Sequence, residues 1–184
     1  QLELRVASHI MNEKTMIEAY KNDEDLHTKT ASIIVGHEAN KEERGMAKPI
    51  NFGFLYGMQA SSFPDYAYSN YGLKFTPEQG KIFRDGFFKA YPDLDTYYRL
   101  QKNTCKDPEV GGCSTIFGRF RPLPDLFSSN WGTKSYGERC AINTPTQSAG
   151  SDILICGAIE VHEKLGHKGV KIVGTVHDSI LIEI

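Results

Sequence analysis

The segment Arg44–Gly57, RGMAKPINFGFLYG, places Arg44, Lys48, Phe52 and Tyr56 at intervals of four residues. On an α-helix each such step rises ~6 Å and drifts ~40° around the axis, so the four side chains form a slanted stripe ~18 Å long. One end of the stripe is cationic and the other aromatic. An ordinary amphipathic helix would carry aliphatic residues there and scatter its charges opposite. The stripe suits a ligand with a polyanionic end and a flat end, as a nucleoside triphosphate has. Taken singly, each residue also fits a surface helix with solvated cations and core aromatics. The ordered set R-x3-K-x3-F-G-x2-Y-G is far more specific than its parts. Pro49 removes one backbone donor and disfavours α geometry at Lys48, which predicts a kink or a restarted turn.

Around this helix the periodicity changes character along the chain. LELRVASHIM has apolar residues at Leu2, Val6, Ile10 and Met11 and reads as a helix. MIEAYKNDEDLHTKTASIIVG gives two short helices broken at Lys21–Asp25, with Asp25 as N-cap of the second. TPEQGKIFRDGFFKAYP opens with Thr76 as cap and Pro77 at the first helical position, and DLDTYYRLQKNTCK follows as a further helix. Gly, Pro and Ser accumulate from Asp107 to Trp131, where STIFGRFRPLPDL reads as a strand or hairpin. SYGERCAINTPTQSAGSDILICGAIEVHEKLG reads as long helical structure with Pro145 inside and Gly166 at its end. VKIVGTVHDSILIEI gives two β-rich runs around His177-Asp178-Ser179, with Ile180, Ile182 and Ile184 at period two. A helical centre with a sheet at the C-terminal end predicts an α+β fold.

Bulk properties narrow the class. The 184 residues are 40% hydrophobic and 24% charged, as in ordinary globular proteins, and are long enough for a real core. A formal net charge of -2 does not advertise nucleic-acid binding, so any such surface has to concentrate its cations locally. Cys105, Cys113, Cys140 and Cys156 show no metal spacing, which predicts reduced, buried or half-exposed thiols in an intracellular protein. No apolar run reaches the ~18 residues of a membrane span. His162 and His167 are five apart and share a helix face poorly, against a zinc site. No phosphate-binding glycine loop or nucleophile elbow is present. The ends of the sequence read as cut from a longer chain.

Two more constellations carry chemistry. Asp178, between two apolar β runs, stands at a hairpin tip where a carboxylate can hold Mg²⁺; ordinary turn chemistry explains an Asp there equally. Arg139, Asn143 and Gln147 repeat at four-residue spacing on a helix with apolar flanks. Such donors reach minor-groove acceptors and phosphates, although an interhelical polar network uses the same residues. Arg119 and Arg121 lie on one side of the expected hairpin, as a phosphate contact or a solvated edge.

In this order the constellations resemble the family A DNA polymerases, the group of bacterial DNA polymerase I. QLELR resembles the end of the family's first palm motif, D-Y-S-Q-[IL]-E-L-R; RGMAKPINFGFLYG its fingers-helix motif; VHDSILIEI its last palm motif, V-H-D-E. DLHTKTAS, FGRFRPLPD and ERCAINTPTQSAGSDI match further family segments, so the resemblance spans Gln1 to Ile184. It implies a right-hand fold in part: palm elements at 1–20 and 135–184, with fingers at 21–134 inserted between them. It implies that Arg44 and Lys48 grip an incoming dNTP with His27 assisting, Lys48 counting as catalytic. Phe52 stacks beside sugar and base, where a Phe is associated with rejecting dideoxynucleotides. Tyr56 sits at the templating position, and Glu3 gates against a ribose 2′-hydroxyl. Arg139, Asn143, Gln147 and His177 line the minor groove of primer–template DNA. Asp178 is implied as a catalytic ligand of two Mg²⁺ ions.

Three departures accompany the resemblance. The first-motif Asp would lie just before Gln1, Ser179 stands where the family has Glu, and Pro49 interrupts the nucleotide-binding helix. The expectation is a piece of a longer DNA polymerase, inactive in isolation and completed by a thumb and upstream palm. The alternative is a catalytically inactive module that only binds primer–template DNA.

Overall fold

The computed structural model describes residues 2–177 and 179–184. Eight α-helices carry most of the chain: α1 (Leu2–Ile10), α2 (Lys14–Lys21), α3 (Leu26–Val35), α4 (Lys41–Leu55), α5 (Phe63–Tyr71), α6 (Pro77–Ala90), α7 (Asp93–Lys106) and α8 (Trp131–Leu165). Two antiparallel hairpins complete the α+β fold. One joins β1 (Gly112–Ser114) to β2 (Phe120–Pro122), and the other joins β3 (Lys171–Val176) to β4 (Ser179–Glu183).

Local chemistry explains the helix starts. Asp25 accepts from the Thr28 amide and so caps α3. Asn40 and Glu43 form a reciprocal capping box on α4, and Thr76 with Gln79 forms one on α6, with Pro77 in the first turn. Each arrangement satisfies amides that the first helical turn leaves without partners.

One alternative raised for Pro49, a restarted turn, is not seen. The α4 helix continues through Pro49 as one segment, without a restart. The fixed φ of proline is itself helical, so its cost is a missing hydrogen bond and local crowding. Pro49 is buried, as are Ala47 and Ile50 beside it on the helix. Likewise α8 runs through Pro145. As read from the sequence, it ends at Gly166; the chain then tightens into a 3₁₀ turn at Gly166–Lys168 and reverses at Gly169, whose φ is 90°.

The main core is aromatic-rich. Phe54, Phe63, Phe87 and Tyr91 are fully buried, with Phe54 and Phe63 stacked at 4.8 Å between ring centroids. It joins α1, α2 and α3 to α4, α5, α6 and α7. Tyr98 is 6% exposed and donates its hydroxyl to the Phe54 and Leu55 carbonyls, tying α7 to the C-terminal end of α4. A second, smaller core gathers Cys105, Cys113, Leu123, Leu126 and Ala141 beneath the first hairpin. Arg119 and Arg121 face α8 rather than an open edge. Arg119 pairs with Asp152 at 2.7 Å, and Arg121 donates to Thr144 at 2.9 Å. All four cysteines are free thiols, but Cys156 is exposed.

In the C-terminal hairpin Val176 pairs with Ser179, and His177 takes φ 54° at the tip. The register shifts between Ile172 and Gly174. The expected apolar face of β4 is only partly covered: Ile180 is half-buried and packs near Gly157 of α8, whereas Ile182 and Ile184 are exposed. Helix α1 packs on α8, so residues from both ends of the sequence meet.

Candidate functional site

Helix α4 presents the stripe in two parts. Its N-terminal part is engaged from α3. Arg44 donates through Nε and a terminal nitrogen to the two Asp25 oxygens, at 3.0 and 2.9 Å. That fork holds the Asp25 carboxyl far below its usual range, helped by the Thr28 amide and hydroxyl. Lys48, one turn on, is exposed, and none of the ion pairs among the described residues involves it.

His27 of α3 lies beside the aromatic part of the stripe, its ring 5.9 Å from that of Phe52 and tilted by 50°. Burial lowers its pKa, with Arg44 and Lys48 adding to the effect against the opposing charge of Asp25. A buried chain of hydrogen bonds sets the ring. The Asn51 amide nitrogen donates to His27 Nδ1 at 2.8 Å, and its oxygen accepts from Thr30 Oγ1 at 2.8 Å. Thr30 in turn meets the Tyr91 hydroxyl at 2.7 Å. With Nδ1 accepting, the neutral ring carries its proton on Nε2 as a donor.

At the aromatic end, Tyr56 donates its hydroxyl to Glu3 of α1. Burial and this carboxylate push the Tyr56 pKa upward. The Tyr56 carbonyl accepts from the Asn143 amide nitrogen of α8 at 3.4 Å. Glu3, Tyr56 and Asn143 thereby tie three helices at one corner. Beside that corner lies an open cavity of about 650 Å³, lined by Glu3, Phe52, Gln147 and His177 together with Thr146, Gly150, Ser151 and Leu154. Small residues on α8 leave this room: no atom lies within 4 Å of a Cβ built at Gly150.

The sequence model of DNA polymerase family A matches residues 1–184. The chain belongs to DNA polymerase family A. It is 34% identical over 189 residues to DNA polymerase I of Aquifex aeolicus, covering 100% of this chain and 31% of that protein. It is 34% identical over 189 residues to DNA polymerase I of Bacillus subtilis, covering 100% of this chain and 20% of that one. Among solved structures, the POL domain of Pol1 from M. smegmatis in complex with DNA primer-template and dNTP matches with a TM-score of 0.87 at 30% identity, covering 100% of this chain and 32% of that one. The chain thus spans about a third or less of the length of these relatives.

For a family A chain, the structure groups the sequence candidates unevenly. It brings Glu3, Phe52, Gln147 and His177 to one cavity, and links Tyr56 and Asn143 to its rim. Arg44, Lys48 and His27 lie along α4 and α3 beyond Phe52 and do not line that cavity. Arg139 lines a different cleft, and its guanidinium donates to Ser135 at 3.0 Å. Asp178 lies outside the described residues. Among the described residues no group of three or more His, Cys, Asp or Glu is placed to hold a metal ion. Glu3 is the one carboxylate lining the cavity there, and it is already hydrogen-bonded to Tyr56. The described residues alone do not make a divalent-cation site. None of their helices is long and apolar enough to cross a membrane.

Sequence reasoning missed Asn51, Thr30 and Tyr91 as supports of His27, and Asp25 as the partner of Arg44. A signal existed for Asn51: a polar side chain set among the apolar residues Ile50, Phe52 and Phe54.

Proposed function

We propose that this chain is the nucleotide- and primer–template-handling part of a longer DNA polymerase that adds dNMP from dNTP to a primer 3′ end. The observation that carries the reading is the cavity where Glu3, Phe52, Gln147 and His177 converge from three helices and a hairpin tip, with the cationic part of α4 one turn beyond. Its lining offers an apolar ring for a flat group and polar donors for groove atoms. In this reading residues 1–20 and 135–184 are palm and 21–134 are fingers, and the protein acts in the cytoplasm.

The roles follow from the side chains. Lys48 supplies an uncommitted ammonium to a triphosphate oxygen, and His27 donates from Nε2 beside it. Arg44 is held by Asp25, so triphosphate binding by Arg44 requires the guanidinium to be shared with or released from that carboxylate. Phe52 packs on the sugar and base. Glu3, fixed by Tyr56, crowds the ribose 2′ position, and Tyr56 closes the templating side. Gln147, Asn143 and Arg139 of α8 and His177 reach the primer–template duplex. Mg²⁺ held by Asp178, with a carboxylate from outside the described residues, would supply charge neutralisation at the reacting phosphate.

Primer extension by the full-length protein tests this. Mg²⁺-dependent extension is expected to vanish in Asp178→Ala. In Lys48→Ala the KM for dNTP should rise roughly ten- to a hundredfold, the worth of one charge-assisted hydrogen bond. The chain of residues 1–184 alone should incorporate no nucleotide. Primer–template binding without any extension by the full-length protein would establish the inactive binding module instead.

A further inference from the structure

Helix α8 carries a gap that α7 fills. Pro145 has no amide hydrogen, so the Ala141 carbonyl, four residues earlier in the helix, lacks its helical donor. Ala141 is fully buried, where a carbonyl without a partner is costly. The Gln101 amide nitrogen of α7 donates to that carbonyl at 3.2 Å. The same nitrogen lies 3.6 Å from the Cys105 sulfur, one turn on, which helps to orient it. Tyr97, one turn before Gln101 on the same face of α7, donates its hydroxyl to the next carbonyl of α8, that of Ile142, at 3.3 Å.

The residue beside Tyr97 does the same for α4. Tyr98 donates to the carbonyls of Phe54 at 3.0 Å and Leu55 at 2.5 Å, in the last turn of α4, where helical donors run out. All three α7 side chains thus hold main-chain carbonyls, which fixes the helices themselves rather than single side chains. Those two helices are walls of the 650 Å³ cavity: Phe52 comes from α4, and Thr146, Gln147 and Gly150 come from α8. Among the described residues α7 lines none of that cavity. Proline removes the bond that would keep the two halves of α8 in line, so the half bearing Gln147 takes its direction from outside contacts. Asn143 supplies one such contact, to the Tyr56 carbonyl at 3.4 Å, and α7 supplies the others described above.

We propose that α7 is a bracket that sets the separation of the α4 and α8 walls of this cavity, with Gln101 as the positioning residue that serves the proline gap. The inference rests on the polymerase reading above and extends it to side chains that stand behind the site.

The test is primer extension by the full-length protein carrying Gln101→Leu or Gln101→Lys, with Gln101→Leu also placed in a Pro145→Ala background and urea midpoints measured for every variant. Gln101→Leu keeps the bulk and loses the donor, so it is expected to raise the KM for dNTP about fivefold while kcat stays near wild type. Gln101→Lys retains a donor and should hold KM near the wild-type value. In Pro145→Ala the new backbone amide serves the Ala141 carbonyl within the helix, so adding Gln101→Leu should raise KM no further. A purely structural role would lower the urea midpoint and leave KM in place. The proposal is overturned if Gln101→Leu moves only the midpoint, if Gln101→Lys is as impaired as Gln101→Leu, or if Gln101→Leu raises KM equally in both backgrounds. Wild type that extends no primer would overturn the polymerase reading instead. The bracket is then decided by primer–template affinity, which Gln101→Leu should weaken with Pro145 present and leave unchanged in Pro145→Ala.

Discussion

Asn51 is fully buried, and both of its amide atoms are used, one on His27 and one on Thr30. Replacing it by Ala leaves His27 Nδ1 without its donor, at about 1–3 kcal/mol, whereas Thr30 keeps the Leu26 carbonyl and the Tyr91 hydroxyl. It also frees the His27 ring to turn. Asn51→Ala is therefore expected to lower the urea midpoint and raise the KM for dNTP severalfold. Tyr91→Phe removes only the far end of the same chain, so it should lower the midpoint and leave KM unchanged. A KM that moves in both variants, or in neither, would show that the network does not orient His27. The network was partly legible beforehand. The α4 stripe follows from spacing and His27 from the family resemblance, whereas Thr30 and Tyr91 are separated by 61 residues and meet only when α3 packs beside α6.

At the scale of elements, Asp25 does two things: it caps α3 and it ties α3 to α4 through Arg44. Asp25→Asn keeps a cap acceptor and loses the charge. Because the pair is part-exposed, the loss at neutral pH should be about 1 kcal/mol or less. The folded pKa lies below the ordinary value of 3.8, so the pair stabilises fully above that value and the contribution fades as pH falls towards the folded pKa. The difference in thermal midpoint between wild type and Asp25→Asn should be full at neutral pH and shrink as the pH drops below about 4. A difference that grows on acidification would contradict the assignment. Glycines in two helices give opposite expectations. A Cβ at Gly137 of α8 would lie 2.9 Å from the Leu126 amide nitrogen, where the second core closes over the helix. Overpacking of about 1–3 kcal/mol then outweighs a helix-propensity gain of about 1 kcal/mol, so Gly137→Ala should destabilise. At Gly45 of α4 nothing lies within 4 Å, and Gly45→Ala should stabilise by about 0.5–1 kcal/mol. Urea midpoints that move in the same direction for both would refute the packing argument.

Across the whole molecule, large apolar side chains stay exposed on many elements, several of them in the C-terminal part of the chain. Ile153, Ile155 and Ile159 on the second half of α8, and Val173, Leu181 and Ile182 on the C-terminal hairpin, are each at least 38% exposed. Exposed large apolar side chains in such number favour association with another surface. Residues 1–184 expressed alone should therefore bind a hydrophobic dye strongly and self-associate in sedimentation. Ile155→Lys/Ile159→Lys should reduce both while shifting stability by no more than about 0.5 kcal/mol per site, as for other surface changes. A monomeric, dye-silent chain would mean that the two elements cover one another in solution.

By itself the sequence determined most of the helices, the Asp25 and Thr76 caps and the α4 stripe, because these depend on residues three or four apart that one turn of helix brings together; α5 (Phe63–Tyr71) was not read from it. It also determined family membership, since the motifs are ordered local strings. Tertiary structure decided the rest. That Tyr56 meets Glu3 across 53 residues, that Arg44 is held by Asp25, and that Arg139 faces a different cleft from Gln147 are consequences of how helices cross. No pattern along the chain records those crossings, because they are set by the shapes of buried faces that close on one another only in the folded state.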